Sequence, residues 1–286
     1  MLYETARDWL SAPTRRVMLF GMSGLGKTHV SDILRGNGDW FHYSVDYRIG
    51  TRYLGEHIAD NFKREAMKVP LLRDLLLSDS VHIRSNITFN NLSPLSTYLG
   101  KPGPTAKGAL PFAEYMRRQA LHQQAEISAM LDTKHFIDRA RALYGYDHFI
   151  CDSSGSICEI VNPDDPADPV LGALSDCLLP VWIEGSGQHT EELIRRFARA
   201  PKPMYYRPER VKTLWREYLD SNSLTEDTAD PDDFMRFAYA RALEDRQPRY
   251  RAMARNRGVS VKAEEIAAVR SSDDFIALIA RALEHR

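Results

Sequence analysis

Arg15-Arg-Val-Met-Leu-Phe-Gly-Met-Ser-Gly-Leu-Gly-Lys-Thr28 is a short apolar run that breaks into glycines and ends in Lys-Thr. Residues 21–28 fit G-x-x-x-x-G-K-[ST], a phosphate-binding loop. Val17 to Phe20 have the length and β-character of a buried parallel strand. Beyond the loop, Val30, Ile33 and Leu34 recur at helical spacing until Gly36-Asn-Gly38 ends the pattern. Strand, loop and helix together are the context this motif requires. Gly21, Gly24 and Gly26 leave room for the backbone N–H groups of the loop, those of Met22, Ser23 and Leu25 included, to turn inward around an anion at the helix N-terminus. Lys27 then reaches the β- and γ-phosphates of a nucleotide, and the Thr28 hydroxyl completes the shell of a Mg²⁺ ion that keeps most of its waters.

The 286 residues suit one large α/β domain with an appendage, or two modest domains, and can bury a sizeable core without disulfide staples. Hydrophobic residues make up 43%, charged residues 27%, and the formal net charge is −1. That balance carries no global attraction for DNA or an anionic membrane, so any basic site must be local. Cys151, Cys158 and Cys177 cannot all pair with one another and lack metal-ligand spacing; they are expected as reduced, buried thiols. The N-terminal residues show no basic stretch followed by an apolar one, and no run approaches a membrane span, so a cytoplasmic location is expected.

Leu2, Ala6, Trp9 and Leu10 predict a short amphipathic helix before the first strand. Trp40 to Val45 predict a second strand that opens into a loop, Asp46-Tyr-Arg-Ile-Gly-Thr-Arg52, carrying one acid and two arginines, Arg48 and Arg52. Open α/β sheets bind ligands outside such carboxyl ends. A helix is expected from about Leu54 to Pro70, a second over Leu71–Leu77, and a strand or loose hairpin over Val81–Leu92. Ser93 to Gly108, rich in Pro and Gly, reads as a loop, and Pro111 opens a long helical stretch broken near Asp132-Thr133 and resumed to Tyr144. Tyr146 to Asp152 is a second apolar approach to an acid, which sets the Asp152 carboxylate beside the metal site. Cys177 to Glu184 is another strand, Thr190 the expected N-cap of the next helix, and Pro203 to Arg207 a last short strand. The remainder reads as helical, with Asp230-Pro and Ser272-Asp-Asp as helix openings.

On the phosphate loop and its flanks the chain resembles the P-loop NTPase superfamily, which implies nucleoside triphosphate binding. Asp152-Ser-Ser-Gly155 also fits the D-x-x-G of a γ-phosphate-sensing switch, but neither N-K-x-D nor T-K-x-D is present: Lys134 follows Thr133, and Phe136 stands where the acid would be. Adenine is therefore the expected base. The order of loop, Asp46, Asp152, Pro180-Val-Trp-Ile-Glu-Gly and the arginine-bearing helix from Thr190 looks like the shikimate and gluconate kinase group and, more loosely, the nucleoside monophosphate kinases, over about residues 15–60 and 145–207. The resemblance implies acceptor roles for Asp46 and Arg52, a triphosphate clamp by Arg195 or Arg199, and phosphate and metal roles for Lys27, Thr28 and Asp152. Three departures stand out. The insertion between Asp46 and Asp152 is long, no Gly-Gly-Gly segment appears, and the C-terminal helices have no counterpart in that group.

Phosphoryl transfer asks the protein mainly to align an acceptor and to meet charge on the γ-oxygens. Lys27, an arginine and Mg²⁺ meet the charge, while Asp46 orients or deprotonates the acceptor hydroxyl. Arg48, Arg52 and Arg84, the last with Asn86, Asn90 and Asn91, are candidates to hold the acceptor. Arg246 to Arg257, five arginines around Tyr250 with no acid from Gln247 to Gly258, form a basic helical stretch that suits nucleic-acid phosphates or an acidic protein face. The expected architecture is a P-loop kinase-like α/β fold with a mainly parallel sheet. Residues 1–207 would form the nucleotide-binding domain, with a helical insertion at about 54–144, and 208–286 a helical C-terminal region. The expected activity is an ATP- and Mg²⁺-dependent kinase acting on a hydroxyl or phosphate of a small molecule. The alternative is a regulatory P-loop ATPase, or a polynucleotide-end kinase, that binds a nucleic-acid or protein partner.

Overall fold

The computed structural model describes residues 2–286. Five strands form one sheet: β1 (Arg16–Phe20), β2 (Trp40–Ser44), β3 (His148–Asp152), β4 (Leu179–Glu184) and β5 (Val259–Lys262). Their order is β2-β3-β1-β4-β5 and every pairing is parallel. Val17 to Phe20 are wholly buried, as the central strand of a sheet covered on both faces must be. Along the chain the helices are α1 (Ala6–Ser11), α2 (Lys27–Gly36), α3 (Val45–Arg48), α4 (Gly55–Ala66), α5 (Pro70–Leu77) and α6 (Ser93–Leu99). There follow α7 (Phe112–Leu131), α8 (Thr133–Tyr144), α9 (Ile157–Ile160), α10 (Pro169–Cys177) and α11 (Gly187–Arg199), then α12 (Pro208–Ser221), α13 (Pro231–Arg257), α14 (Ala263–Ala268) and α15 (Ser272–Glu284). This is the α/β arrangement that the sequence predicts, a parallel sheet flanked by helices.

The chain divides into two compact units. The first comprises residues up to Val45, Glu126–Pro201 and Arg236–Arg286, and holds the whole sheet. α1 is started by a capping box between Thr5 and Asp8. Its buried Trp9 donates from Nε1 to Ile276 O at 2.9 Å, and Trp40 Nε1 donates to Ser272 Oγ at 2.8 Å. Both ties seat α15 in this unit, and each gives a buried indole N–H its partner. Two expectations change here. α11 starts at Gly187 under a Ser186 cap, because the Ser186 hydroxyl accepts from His189 N, which takes the N-cap role expected of Thr190. Cys177 is only partly buried, whereas Cys151 and Cys158 are buried thiols, the latter pushed up to about 12 by desolvation. No helix among the described residues is long and apolar enough to cross a membrane.

The second unit comprises Asp46–Ala125 and Lys202–Met235. Its residues 203–207 form no strand. Buried Gln119 takes the place of a neighbouring strand, accepting from Tyr206 N at 2.9 Å and donating to Met204 O at 3.2 Å. Residues 81–92 are extended coil with one isolated bridge, Thr88 to Asn91, since side chains of Thr88 and Asn91 take up local backbone groups in place of a ladder. Ser93 to Leu99, expected within a loop, is the helix α6, with Pro94 in its first turn. Arg118, buried on α7, donates to Glu114 Oε1 at 2.8 Å, to Asn61 Oδ1 at 3.0 Å and to Tyr98 O, tying three helices of this unit together.

Further along the same face of α7, buried His122 stacks on Tyr205 with ring centroids 4.5 Å apart. Burial lowers its pKa to about 3. The folded state therefore binds this proton more weakly than the unfolded chain, whose histidine titrates near 6.5. Stability is intact above about pH 6.5 and falls as pH drops from there toward 3. At pH 5 the linked loss is about 2 kcal/mol. His122→Phe keeps the stacked ring without the proton, and urea unfolding across pH 7 to 4.5 should show a correspondingly shallower decline. An unchanged pH slope would show that His122 protonates freely in the folded protein.

Candidate functional site

The glycine-rich loop of residues 21–28, the phosphate loop expected from the sequence, links β1 to α2 within the first unit. Gly26 occupies the N-cap position of α2 with φ 94°, so no side chain caps the first amides of this helix. A helix start without a side-chain cap offers its N–H groups and its dipole to an anion. Lys27 is buried and its ammonium folds over the loop, donating to Gly21 O at 3.0 Å and Met22 O at 3.1 Å. Thr28 Oγ1 donates to Asp152 Oδ2 at 2.7 Å. This pair forms because β1 and β3 are neighbours with Leu19 in register with Asp152, so the last residue of β3 faces the first turn of α2. The spacing of 124 residues thus closes to one hydrogen bond.

Two more side chains of this unit converge on Asp152 and the loop after it. His42 Nε2 stands 3.8 Å from Asp152 Oδ2, and His42 Nδ1 4.0 Å from Asp32 Oδ1. Glu126, wholly buried, accepts from Ser156 Oγ at 3.0 and 2.9 Å and from Ser154 Oγ. A Cβ on Gly155 would lie 2.9 Å from Ser23 Oγ, so only glycine lets the Ser153–Ser156 loop rest on the phosphate loop. Neither His42 nor Glu126 was singled out from the sequence. The available signal was a histidine within the apolar Trp40–Val45 run, and a lone acid beside Ala125 and Ile127 in a helical pattern.

α13 braces the same loop from its other side. Arg246 and Glu159 form a buried ion pair at 2.8 Å, and Tyr250 OH and Arg246 donate to Gly155 O. Burial works against the charged guanidinium, but the Glu159 carboxylate more than offsets it and the Arg246 pKa is raised. Burial likewise keeps the Tyr250 phenol protonated, as a donor must be. Arg249 donates to Cys158 O and Val161 O, each at 2.7 Å, and Arg257 to Pro166 O at 2.5 Å. Three of the five arginines expected to form a nucleic-acid or protein-binding arm are therefore spent on backbone carbonyls and one carboxylate. Only Arg251 and Arg255 of that stretch are exposed.

The remaining predicted residues lie as follows. Arg195 is exposed on α11 and pairs with Glu192 of its own helix at 3.2 Å; Arg199 is exposed in the last turn. α11 does reach the phosphate loop: a Cβ on Gly24 would meet Leu193 Cδ2 at 3.5 Å. In the second unit, Asp46 sits in the first turn of α3, partly buried. Residues 45–53 are helical where a loop is expected, with Ile49–Tyr53 forming a π-helical turn closed by Leu54 N to Ile49 O at 2.8 Å. Such turns are enriched at functional sites because they re-aim side chains. Arg48 lies over the Tyr53 ring at 5.6 Å, Arg52 is exposed, and Arg84 donates to His82 Nε2 at 2.9 Å.

No protein-family model matches the chain, and no curated protein matches its sequence. Among solved structures it aligns with a shikimate kinase from Bacteroides thetaiotaomicron over 95% of its own length and 96% of that chain, at 14% identity and a TM-score of 0.38, a distant likeness.

Proposed function

We propose that this chain is an ATP- and Mg²⁺-dependent kinase that transfers the γ-phosphoryl group to a hydroxyl or phosphate of a small molecule. The observation that carries the reading is the Thr28 to Asp152 hydrogen bond at the mouth of a loop whose lysine is already folded into it. A hydroxyl and a carboxylate side by side match the protein's share of a Mg²⁺ site. Among the described residues no cluster of three or more His, Cys, Asp or Glu could hold a metal by itself. Bound beside Thr28 and Asp152, Mg²⁺ neutralises charge on the transferring phosphoryl group.

The chain's own residues supply the rest. The α2 amides and Lys27 hold the phosphates, and Met22, Ser23 and Leu25 contribute loop backbone. Arg195 or Arg199 is the proposed partner for γ-phosphate charge, and Asp46 the proposed orienting base for the acceptor, with Arg48, Arg52 and Arg84 as acceptor ligands. The Asp46 role is supported by its place two residues beyond Ser44, the last residue of β2 and the register partner of Asp152. Asp46→Asn should slow transfer about 10²-fold while ATP affinity stays within about twofold. Loss of ATP binding in that variant would put Asp46 in the nucleotide or metal site instead. The reading as a whole is tested by incubating the protein with ATP, Mg²⁺ and pooled small-molecule extract and following phosphorylated products by mass. A new product that requires both extract and Lys27 names the acceptor; slow hydrolysis indifferent to extract sinks the kinase reading.

A further inference from the structure

Around the end of α13, the outer edge of β5 and the last turns of α15, the first unit holds a cavity of about 410 Å³. Arg251, Arg255, Arg281 and Arg286 line it against one carboxylate, Glu265. In a chain whose formal net charge is −1, the lining side chains of this cavity comprise four arginines and one glutamate, an excess of three positive side-chain charges. All four are exposed, and among the described residues none is engaged in an ion pair. Arg251 Cζ lies 6.0 Å from the Trp182 ring centroid and Arg255 Nε donates to Asn256 Oδ1 at 3.2 Å, contacts that orient these guanidiniums without neutralising them. The floor is apolar, with Ala254 and Leu278. β5 is the edge of the sheet, paired only with β4, and its residues Val259–Val261 form one wall. Outward-facing backbone N–H and C=O groups of an edge strand are available to a ligand's polar atoms.

We infer that this cavity is a binding site for a small phosphorylated organic molecule, distinct from the phosphate loop, with which it shares no lining residue. Planar guanidiniums carry a fixed fork of donors that matches phosphate oxygens, and several around one concavity repel each other until an anion bridges them. The volume suits a small ligand whose organic part lies on the apolar floor. Its lining is confined to the end of α13, β5, Glu265 and the last turns of α15, an extent that suits one such molecule, whereas a nucleic-acid strand requires a groove that continues past it.

Inorganic pyrophosphate tests the shared chemistry, in equilibrium dialysis at fixed ionic strength with the full chain. Wild type should show two classes of site. Lys27→Ala removes one and keeps the other; the double variant Arg255→Ala/Arg281→Ala weakens the other at least tenfold and keeps the first. Glu265→Gln, which removes the one acidic side chain of the lining, should tighten that second class about threefold, a gain that misfolding cannot mimic. The inference is overturned if the double arginine variant binds pyrophosphate as wild type does. It is equally overturned if that variant loses affinity for a single-stranded RNA oligonucleotide while pyrophosphate binding is unchanged. If Lys27→Ala leaves both classes intact, the phosphate-loop reading fails and this one stands.

Discussion

Lys27→Ala is expected to lower turnover by about 10²- to 10³-fold, the cost of removing one preorganised charge from a transferring group, while the folded state is almost unaffected. The two effects separate because of how the ammonium is held. It donates to the carbonyls of Gly21 and Met22, within six residues of it, so the hydrogen bonds lost there on its removal are local. It also releases a buried charge from its desolvation cost. Those terms oppose each other, and the melting temperature should move by no more than about 3 °C. Calorimetry for the fold and titration with ATP and Mg²⁺ for the site would measure both. Unchanged turnover in a folded variant would remove the phosphate loop from the mechanism.

Arg246→Ala should have the largest effect on stability of any single substitution considered. Arg246 and Glu159 are each less than a tenth exposed and face each other at 2.8 Å. Truncating the arginine takes a countercharge from buried Glu159, which costs about 3–5 kcal/mol, or a fall of about 10 °C in melting temperature. Replacing both partners with apolar residues, Arg246→Met with Glu159→Leu, should recover most of that loss, because the desolvation penalty of the pair disappears with the pair. A double-mutant cycle in urea reads the coupling directly. A single-variant loss under about 1 kcal/mol would show water reaching the pair.

The sheet was largely legible because its strands are what buried parallel strands must be: Val17–Phe20, Phe149–Cys151 and Leu179–Ile183 are short apolar runs ending near glycine, serine or acid. The closeness of Thr28 to Asp152 was legible for the same reason, since one follows β1, the other ends β3, and these strands sit side by side. β5 was not. Val259-Ser-Val-Lys262 is four residues long and follows a 27-residue helix, so its alternation is lost among helical signals. The mark it left is Gly258, where a Cβ would fall 2.2 Å from Pro180 O: the backbone there passes against β4 too closely for any side chain. Arg246 to Arg257 misled for a different reason. Composition sees five positive charges, but a guanidinium can be spent on backbone carbonyls, and the carbonyls of residues 155–166 leave no trace in the sequence. His42 and Glu126 were missed because a buried polar residue inside an apolar segment is visible only once its partner from another segment is known.

The tie between Trp9 and Ile276 joins positions 267 residues apart. At ribosomal speeds of roughly 5–20 residues per second the two ends of that bond are made on the order of tens of seconds apart. β4, meanwhile, has one side open until residues 259–262 arrive to cover it. The glycine-rich loop of residues 21–28 is thus synthesised well before the segments that complete its surroundings. Nascent chains of intermediate length carry a bare strand edge and an undocked first helix, which makes them natural clients for chaperones during translation.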